Sequence, residues 1–428
     1  MWRSHALTLD DWLARLQALH PREIELGLTR VSRVAERMQL DLSASRVVIV
    51  GGTNGKGSTV AALQAIGLHH GLSVGSYTSP HLLHFNERIR IDGQALDDAT
   101  LCQLFEEVER ARGDVSLTYF EFSTLAALRV FQHHRPHWCI LEVGLGGRLD
   151  AVNIVDPDVA VVTNIQLDHQ DWLGPDRESI AREKAGIFRA GVPALCAERD
   201  PPPGLRAAAL AVGARWLQAG ADFDLALDGV GGWRWHGLDQ EGAPLAVSGA
   251  QPLRLEPSAV AVALQAAALL LDVPAVAVLA RAVAEASLTG RCQTVRCGGR
   301  EVVLDVAHNP AAAQRLAAYL HSRPVAGRTH VVLAIMADKD APGFGAVLAP
   351  VAEGRWWLPQ LDVQRARAPR QLQALLPGVD SLLSGSVADA VAAALGQMND
   401  GDRVVVTGSF YTVAAALRFL AKRGLDGE

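Results

Sequence analysis

Residues 46–70 of the chain are RVVIVGGTNGKGSTVAALQAIGLHH, and this segment is the strongest indication of its fold class. The residues after Arg46 are apolar and β-branched, which is typical of a buried strand. A glycine-rich loop follows at once, and helical periodicity resumes at Ser58. Glycines let backbone amides turn toward an anion, and Lys56 adds a mobile ammonium for phosphate oxygens. This strand–loop–helix context predicts a phosphate-binding loop.

The spacing of the loop is a variant of the usual GxxxxGK[ST] pattern, because Gly51 precedes Gly55 by only four positions. A glycine-rich turn with a solvated lysine is the structural alternative. A dinucleotide loop is disfavoured, because the GxGxxG pattern is absent and Lys56 would have no role. The loop alone therefore indicates phosphate binding and no particular reaction.

The composition is that of a soluble globular protein, with 49% hydrophobic and 20% charged residues. A length of 428 residues suggests two or three domains, at roughly 150 residues each. The five cysteines never form CxxC, which disfavours disulfides and zinc cages. A net charge of −6 gives no general attraction for nucleic acid. Since no apolar run could span a membrane and Met1–Trp12 does not resemble a targeting peptide, we expect a cytoplasmic protein with small-molecule partners.

Strand-like and helix-like segments alternate along most of the chain, which predicts an α/β fold. Two amphipathic helices, 9–19 and 28–40, precede the first strand, and short antiparallel strands are expected within 220–252. A break near 287–298 separates a second, smaller alternating region. We predict a P-loop ATPase-like N-terminal domain, residues 1–290, and a smaller Rossmann-like α/β C-terminal domain, residues 291–428.

Polar residues also follow two further predicted strands. Glu142 ends one strand, and His169 comes after the next. Open α/β sheets bind ligands at the carboxyl ends of their strands, so these residues could share a magnesium ion near Lys56. A lone loop histidine is more often structural, but the convergence of three motifs on one edge favours the metal site.

A ligase reaction explains this set of groups. A substrate carboxylate attacks the γ-phosphate of ATP, and an amine then displaces phosphate from the acyl phosphate. Two anions must meet, so magnesium, Lys56 and loop amides are needed to screen their charges. No protein nucleophile is required.

Several sequence motifs are distributed along nearly the whole chain. They are Gly52–Ser58, Thr78–Leu82, Glu87–Arg90, Leu141–Asp150, Leu167–His169, Asp171–Phe188, Asp305–Pro310 and Gly408–Phe410. In these motifs the chain resembles the folylpolyglutamate synthases, and among them the bacterial bifunctional dihydrofolate synthase type, within the Mur ligase superfamily. The resemblance implies ATP-dependent addition of L-glutamate to dihydropteroate, and then to the γ-carboxyl of reduced folates, in folate biosynthesis by a monomer.

The resemblance also implies the site residues. Magnesium, as two ions, is expected at Ser79, Glu142, His169 and Lys184, the last as a carbamate. ATP is expected at Thr53, Asn54, Gly55, Lys56, Ser258, Arg291 and Asp305. The pterin-linked acid is expected at Ile24, Glu25, Leu26, Thr118, Tyr119, Phe120, Glu121, Leu149, Asp150 and Ala151. Lys56, Lys184 and His308 are the expected catalytic residues, and the C-terminal domain is expected to complete the ATP and glutamate cleft.

Two of the expected catalytic residues also have a simpler structural interpretation. Taken alone, Lys184 has the pattern of an exposed helix lysine, and His308 could merely cap a loop. Ser258 stands where the family usually has asparagine, and Val152 and Cys292 stand where it has threonine and phenylalanine.

Three other functions account for part of this pattern. The first is a folylpolyglutamate synthase without the dihydrofolate synthase activity. The second is another Mur-type ligase, which would want an additional N-terminal domain where only residues 1–45 precede the first strand. The third, a P-loop regulator, would leave Glu142 and His169 without a role.

Overall fold

A computed structural model describes residues 7–22, 24–229, 231–363 and 365–424 of the chain. It divides into two compact units, Met1–Ser287 and Leu288–Glu428. The domain limits predicted from the sequence, 290 and 291, lie just beyond this division. Met1–Trp12 is the segment that is predicted not to be a targeting peptide. Its first six residues lie outside the described part of the chain.

The first unit is built on a large mixed sheet. Its strands are β1 (Arg46–Gly51), β2 (Val74–Tyr77), β3 (Ile89–Ile91), β4 (Gln94–Ala95), β5 (Trp138–Glu142), β6 (Val159–Val162), β7 (Pro193–Cys196) and β8 (Arg215–Gln218). The spatial order is β4-β3-β2-β5-β1-β6-β7-β8. Strands β3 and β4 pair antiparallel and the others parallel. The phosphate loop therefore leaves the sheet from β1, a central strand whose residues 47–51 are all buried.

Helices cover this sheet. They are α1 (Leu9–Leu19), α2 (Thr29–Arg37), α3 (Lys56–His69), α4 (Asp98–Arg112), α5 (Tyr119–His134), α6 (Gln170–Leu173), α7 (Arg177–Ala185), α8 (Pro203–Val212), α9 (Pro257–Leu270) and α10 (Val276–Glu285). Helix α1 has the predicted bounds, because Thr8 and Asp11 form a capping box at its start. Helix α3 begins at Lys56, two residues before the predicted start at Ser58.

A small antiparallel sheet occupies the region where short strands were expected. It consists of β9 (Asp224–Leu227), β10 (Trp233–Leu238) and β11 (Pro244–Gly249). Trp233 and Trp235 are buried on one face of β10 while Arg234 between them is exposed. The indole of Trp235 donates to the carbonyl of Ala261 at 3.0 Å, and this contact fastens the small sheet to α9.

The second unit has its own parallel sheet, extended by one antiparallel strand. Its strands are β12 (Gln293–Cys297), β13 (Arg300–Leu304), β14 (Thr329–Leu333), β15 (Trp356–Leu358), β16 (Ser381–Leu383) and β17 (Arg403–Thr407), in the order β12-β13-β17-β14-β15-β16. Its helices are α11 (Pro310–Ser322), α12 (Ala341–Leu348), α13 (Pro369–Ala374), α14 (Val387–Gln397) and α15 (Phe410–Arg423). Both units are thus α/β, as predicted. Strands β12, β15 and β16 were not predicted.

None of the helices in the described ranges combines the length and the hydrophobicity needed to cross a lipid bilayer.

Candidate active site

The phosphate loop is fastened to the segment that follows β6. The amide of Thr53 donates to the carbonyl of Asn164 at 2.9 Å, and the amide of Asn54 donates to the Asn164 side chain at 2.8 Å. The hydroxyl of Thr163 donates to the carbonyl of Asn54 at 2.6 Å, and the Gln166 amide donates to Thr53 Oγ1 at 3.0 Å. The sequence does not identify Thr163 or Gln166 as contacts of the loop, since the parallel pairing of β1 and β6 brings them there.

Gly52 is the position where this packing leaves no room for a side chain. Its φ is 135°, and a Cβ atom there would lie 1.8 Å from Thr163 Oγ1 and 2.9 Å from the Thr163 nitrogen. A glycine is therefore required for the loop to approach the end of β6.

Two lysines meet at the carbonyl of this glycine. Lys56, in the first turn of α3, donates through Nζ to the carbonyls of Gly52 and Thr53, both at 3.2 Å. Lys184, in the last turn of α7, donates to the Gly52 carbonyl at 2.9 Å. Two cationic groups and a helix N-terminus thus surround the loop, which is an arrangement suited to an anionic ligand.

The interpretation of Lys184 as an exposed helix lysine is wrong. Its relative exposure is 4%, because the segment 146–148 packs over its helix. A Cβ at Gly147 would lie 2.9 Å from the carbonyl of Lys184, and the amide of Arg148 donates to the carbonyl of Glu183 at 2.8 Å. Burial, together with the charge of Lys56, lowers the pKa of the Lys184 ammonium to about 7.

The predicted metal residues lie along the same edge of the sheet. Val50 pairs with Glu142 in the β1–β5 register, so the buried carboxylate of Glu142 lies beside the start of the phosphate loop. Glu142 Oε2 accepts a hydrogen bond from the amide of Ser79 at 3.2 Å. His169 is exposed and caps α6 in the left-handed conformation, with φ 51°. The structure brings Ser79 and Glu142 into contact, and it places His169 at the end of the loop between β6 and α6.

The buried carboxylate of Glu142 beside a phosphate-binding loop suits a hard divalent cation. In the described residues no three His, Cys, Asp or Glu side chains cluster as a metal cage. Magnesium usually keeps several waters and takes only one or two protein carboxylates. A buried Glu142 next to a phosphate-binding loop meets that requirement.

The three segments expected to bind the pterin-linked acid are also close together. The irregular segment containing Ile24, Glu25 and Leu26 is joined to Leu149 by a 3.3 Å hydrogen bond from the Gly27 amide. The second segment is the start of α5, where Thr118 and Glu121 form a capping box. The Arg30 guanidinium contacts both Glu25 and Glu121.

Aromatic rings pack at the same place. The ring of Phe120 lies 5.8 Å from that of Tyr77, and the ring of Tyr119 lies 6.0 Å from that of Phe85. The buried guanidinium of Arg88 lies 5.3 Å from the centre of the Tyr119 ring. Arg88 also donates to His81 Nδ1 at 2.8 Å. This surface combines flat apolar groups with a few fixed polar ones, as small-ligand sites usually do.

Asp150 follows the glycine-rich segment 144–147 in the chain. It caps a short 3₁₀ turn at Ala151–Ile154, with Oδ1 accepting from the Val152 amide at 3.0 Å and Oδ2 from the Leu145 amide at 2.8 Å. Burial raises the pKa of the Asp150 carboxyl to about 6, although these hydrogen bonds oppose the shift. Ala151 is buried directly after it.

The nucleotide residues expected in the second unit form a separate group at the end of β13. Asp305 accepts hydrogen bonds from the amides of Cys292 and Ala307, both at 2.8 Å. The Arg291 guanidinium lies 5.2 Å from the centre of the Phe410 ring. His308 is oriented by a 2.9 Å hydrogen bond from Nδ1 to the carbonyl of Val306.

Comparison with known proteins agrees with these features. Residues 50–201 match the Mur ligase middle domain, and residues 290–410 match the Mur ligase, glutamate ligase domain. The chain is 42% identical to the dihydrofolate synthase/folylpolyglutamate synthase of Escherichia coli strain K12, over 99% of this chain and 98% of that protein. The chain belongs to the dihydrofolate synthase/folylpolyglutamate synthase family.

Solved structures of the family have the same fold. Escherichia coli FolC in complex with DHPP and ADP superposes with a TM-score of 0.91, at 41% identity, covering 98% of this chain and 99% of that one. The bifunctional enzyme of Yersinia pestis complexed with AMPPNP and Mn ion has a TM-score of 0.89, at 40% identity, covering 97% and 98%. The chain is accordingly an ATP-dependent ligase of the Mur ligase class.

Ser258, which is expected to contact the nucleotide, has a hydrogen-bond partner that the sequence does not indicate. Ser258, near the start of α9, donates to Glu256 Oε1 at 2.9 Å. Glu256 Oε2 lies 3.6 Å from the position that a Cβ of Gly55 would take. Glu256 therefore contacts Ser258 on one side and lies close to Gly55 of the phosphate loop on the other.

Proposed function

We propose that this chain uses ATP to join L-glutamate to 7,8-dihydropteroate, forming dihydrofolate, and to the γ-carboxyl of reduced folates, forming polyglutamates. The observation that carries the proposal is the convergence of Lys56 and Lys184 on the Gly52 carbonyl, next to Glu142 and the aromatic surface at Tyr119 and Phe120. The groups proposed to bind phosphate and pterin therefore lie in one unit.

In this proposal ATP binds with its phosphates at Thr53, Asn54, Gly55 and Lys56. The amides at the start of α3 and the Lys56 ammonium neutralise the charge that develops as the acceptor carboxylate attacks the γ-phosphate. That attack forms an acyl phosphate and releases ADP. The glutamate amine then displaces inorganic phosphate and forms the amide bond.

Magnesium would be held by Ser79, Glu142, His169 and a carbamate on Lys184, as two ions. When bound, it would screen the negative phosphate oxygens from the incoming carboxylate.

Simple chemistry supports the proposed carbamate at Lys184. A neutral amine adds to carbon dioxide and releases a proton, whereas an ammonium cannot. An ordinary lysine, with a pKa of about 10.4, is almost entirely protonated at neutral pH. With a pKa of about 7, Lys184 has a large neutral fraction there, which supports its modification.

The acceptor would lie on the surface formed by residues Ile24, Glu25, Leu26, Thr118, Tyr119, Phe120, Glu121, Leu149, Asp150 and Ala151. The rings of Tyr119 and Phe120 suit a flat pterin. Asp150, with its pKa raised to about 6, can accept hydrogen bonds from pterin N–H groups as the carboxylate and donate one as the acid.

The second unit would complete the site for ATP and glutamate. Arg291 and Asp305 are proposed nucleotide contacts together with Ser258, and His308 is a proposed catalytic residue. We further propose a monomer located in the cytoplasm, on the basis of the family resemblance.

The test is label transfer from radioactive glutamate with ATP and magnesium, offering dihydropteroate and tetrahydrofolate in separate reactions. Product with both acceptors is expected. Product with tetrahydrofolate alone would reduce the function to folylpolyglutamate synthase, and product with neither would refute the proposal and favour another Mur-type acceptor.

A further inference from the structure

A network of charged side chains surrounds Arg30, at the start of α2. Its guanidinium pairs with the carboxylate of Glu25 through Nη1 and donates to the Glu25 carbonyl through Nη2 at 2.9 Å. The same Nη2 lies 3.1 Å from Glu121 Oε1, and Nε lies 3.4 Å from Glu121 Oε2. One side chain therefore links the irregular segment at Glu25 to the start of α5.

The network is largely enclosed. The side chain of Arg30 is 24% exposed and that of Glu121 is 4% exposed. His20 extends the network from the end of α1, with Nε2 3.1 Å from Glu25 Oε2 and Nδ1 2.8 Å from the hydroxyl of Ser116. Glu25 is more exposed and also pairs with Arg22 at the surface, so only the pair of Arg30 with the buried Glu121 is screened less than a surface ion pair.

The charges explain why an arginine is needed here. Glu25 and Glu121 are two carboxylates next to a surface proposed to receive an acid. Without Arg30, the buried carboxylate of Glu121 would lose this cation, Glu25 would keep only its pairs with His20 and Arg22, and the two carboxylates would repel each other. The planar guanidinium can bond two carboxylates at once, which a lysine ammonium does less well.

We infer that Arg30 is a positioning residue for the acceptor: it holds residues 24–26 against the start of α5 and neutralises Glu25 and Glu121. This inference rests on the proposed function. The polar contacts of Arg30 with described residues are to Glu25 and Glu121, both in the proposed acceptor site, so its effect should be confined to acceptor binding.

The kinetic test compares Arg30→Met, which keeps much of the bulk and removes the charge, with the wild type. Arg30→Met is expected to raise the KM for dihydropteroate at least about tenfold, the effect of losing one charge-assisted hydrogen bond. The KM for ATP should change less than about twofold. Arg30→Lys should raise the KM for dihydropteroate less than Arg30→Met does. The double variant Arg30→Met, Glu25→Gln should also raise this KM less than Arg30→Met alone, because it removes one of the two carboxylates that then repel each other.

Arg15→Met is the matched control, because it removes a neighbouring surface ion pair with Glu109 outside the network. It should leave both KM values unchanged. Equal acceptor KM values for wild type and Arg30→Met would overturn the inference, and so would equal rises in the KM for ATP and for dihydropteroate.

A second measurement does not need turnover. The Gly27 amide, which bonds to Leu149, should exchange its hydrogen faster in Arg30→Met than in the wild type or Arg15→Met, as followed by mass spectrometry of peptides covering residues 24–30. Unchanged exchange would overturn the positioning role even if the proposed function held. A wild-type enzyme that forms no folate product would instead refute the proposed function, and with it the acceptor role of Arg30.

Discussion

At the scale of single residues, the carbonyl of Gly52 has a central position, since it accepts hydrogen bonds from both Lys56 and Lys184. Two ammonium groups at one oxygen repel each other, and this repulsion contributes to the lowered pKa of Lys184. An anionic ligand, or conversion of Lys184 to an anionic carbamate, would relieve it. The same two side chains therefore favour phosphate binding and carbamate formation.

This chemistry predicts a dependence on carbon dioxide that grows as the pH falls. Lowering the pH through about 7 protonates the Lys184 amine, so less carbamate can form. Activity in buffer depleted of carbon dioxide should fall, and bicarbonate should restore it, more strongly at low than at high pH. Lys184→Ala should be inactive and should respond to acetate, which can supply a carboxylate, but not to bicarbonate. An enzyme indifferent to bicarbonate throughout, with a bare ammonium in an experimental density map, would contradict the carbamate.

Gly52 itself gives a second prediction. Gly52→Ala places a methyl group against Thr163, so the loop must move and the affinity for ATP should fall at least about tenfold, a loss of about 1.4 kcal/mol. Gly71→Ala is the control, since Gly71 also has a positive φ of 73° but open space around its Cβ position. That variant should lose about 1 kcal/mol of stability and keep its affinity for ATP, as measured by calorimetric titration. Equal nucleotide affinities in the two variants would argue against the Thr163 contact.

At the scale of structural elements, the segment after β6 holds the phosphate loop and is held in turn by an ion pair. Glu198 accepts from the Ile165 amide at 2.9 Å, and Arg177 donates to the Ile165 carbonyl at 2.9 Å. Arg177 and Glu198 also pair with each other. Burial raises the pKa of the Glu198 carboxyl, against the effect of these partners.

Loss of this clamp should affect nucleotide binding and spare the acceptor. Glu198→Ala is expected to raise the KM for ATP several-fold while the KM for dihydropteroate changes little, since the loop geometry at Thr53 and Asn54 depends on this segment. The pattern is the opposite of that for Arg30→Met. Steady-state kinetics with each substrate varied in turn would test it, and a rise confined to the KM for dihydropteroate would contradict it.

In the second unit, Arg403 ties a strand to the end of a helix. Its buried guanidinium donates to the carbonyls of Leu320 and Arg323 at 2.9 and 2.6 Å and to the hydroxyl of Thr329 at 2.9 Å. These bonds give the Arg323 carbonyl a donor just past the end of α11 and add a second donor to the Leu320 carbonyl, which also accepts from the Arg323 amide.

Arg403→Met should therefore lower the free energy of unfolding by about 3 kcal/mol, because these acceptors lose a donor. Urea denaturation followed by circular dichroism would measure this loss, with Arg418→Met on the neighbouring α15 as a surface control. A destabilisation as small as that of the control would show that Arg403 contributes little to the fold.

At the scale of the whole molecule, the sequence predicted those features that depend on neighbours along the chain. Helix α1 was predicted to the residue, because its cap at Thr8 is local. Strands β15 and β16 were missed because three residues are too few to establish a period.

For the site as well, residues in one contiguous motif could be predicted and contacts between distant residues could not. The phosphate loop could be predicted from one contiguous motif, whereas the contact of Arg30 with Glu121 joins residues 91 positions apart. The burial of Lys184 could not be predicted either, because it depends on packing between α7 and the glycine-rich segment at Gly147. Pairings of this kind are set by the fold.

Activation of the acceptor as an acyl phosphate would transfer one oxygen of its carboxylate to inorganic phosphate. This transfer can be measured with dihydropteroate labelled with ¹⁸O in its carboxylate, with ATP, magnesium and unlabelled glutamate, followed by mass spectrometry of the phosphate released. One labelled oxygen per dihydrofolate should appear in inorganic phosphate, and Lys56→Ala should form neither product. Label in AMP, or dihydrofolate formed with no label in phosphate, would contradict the account.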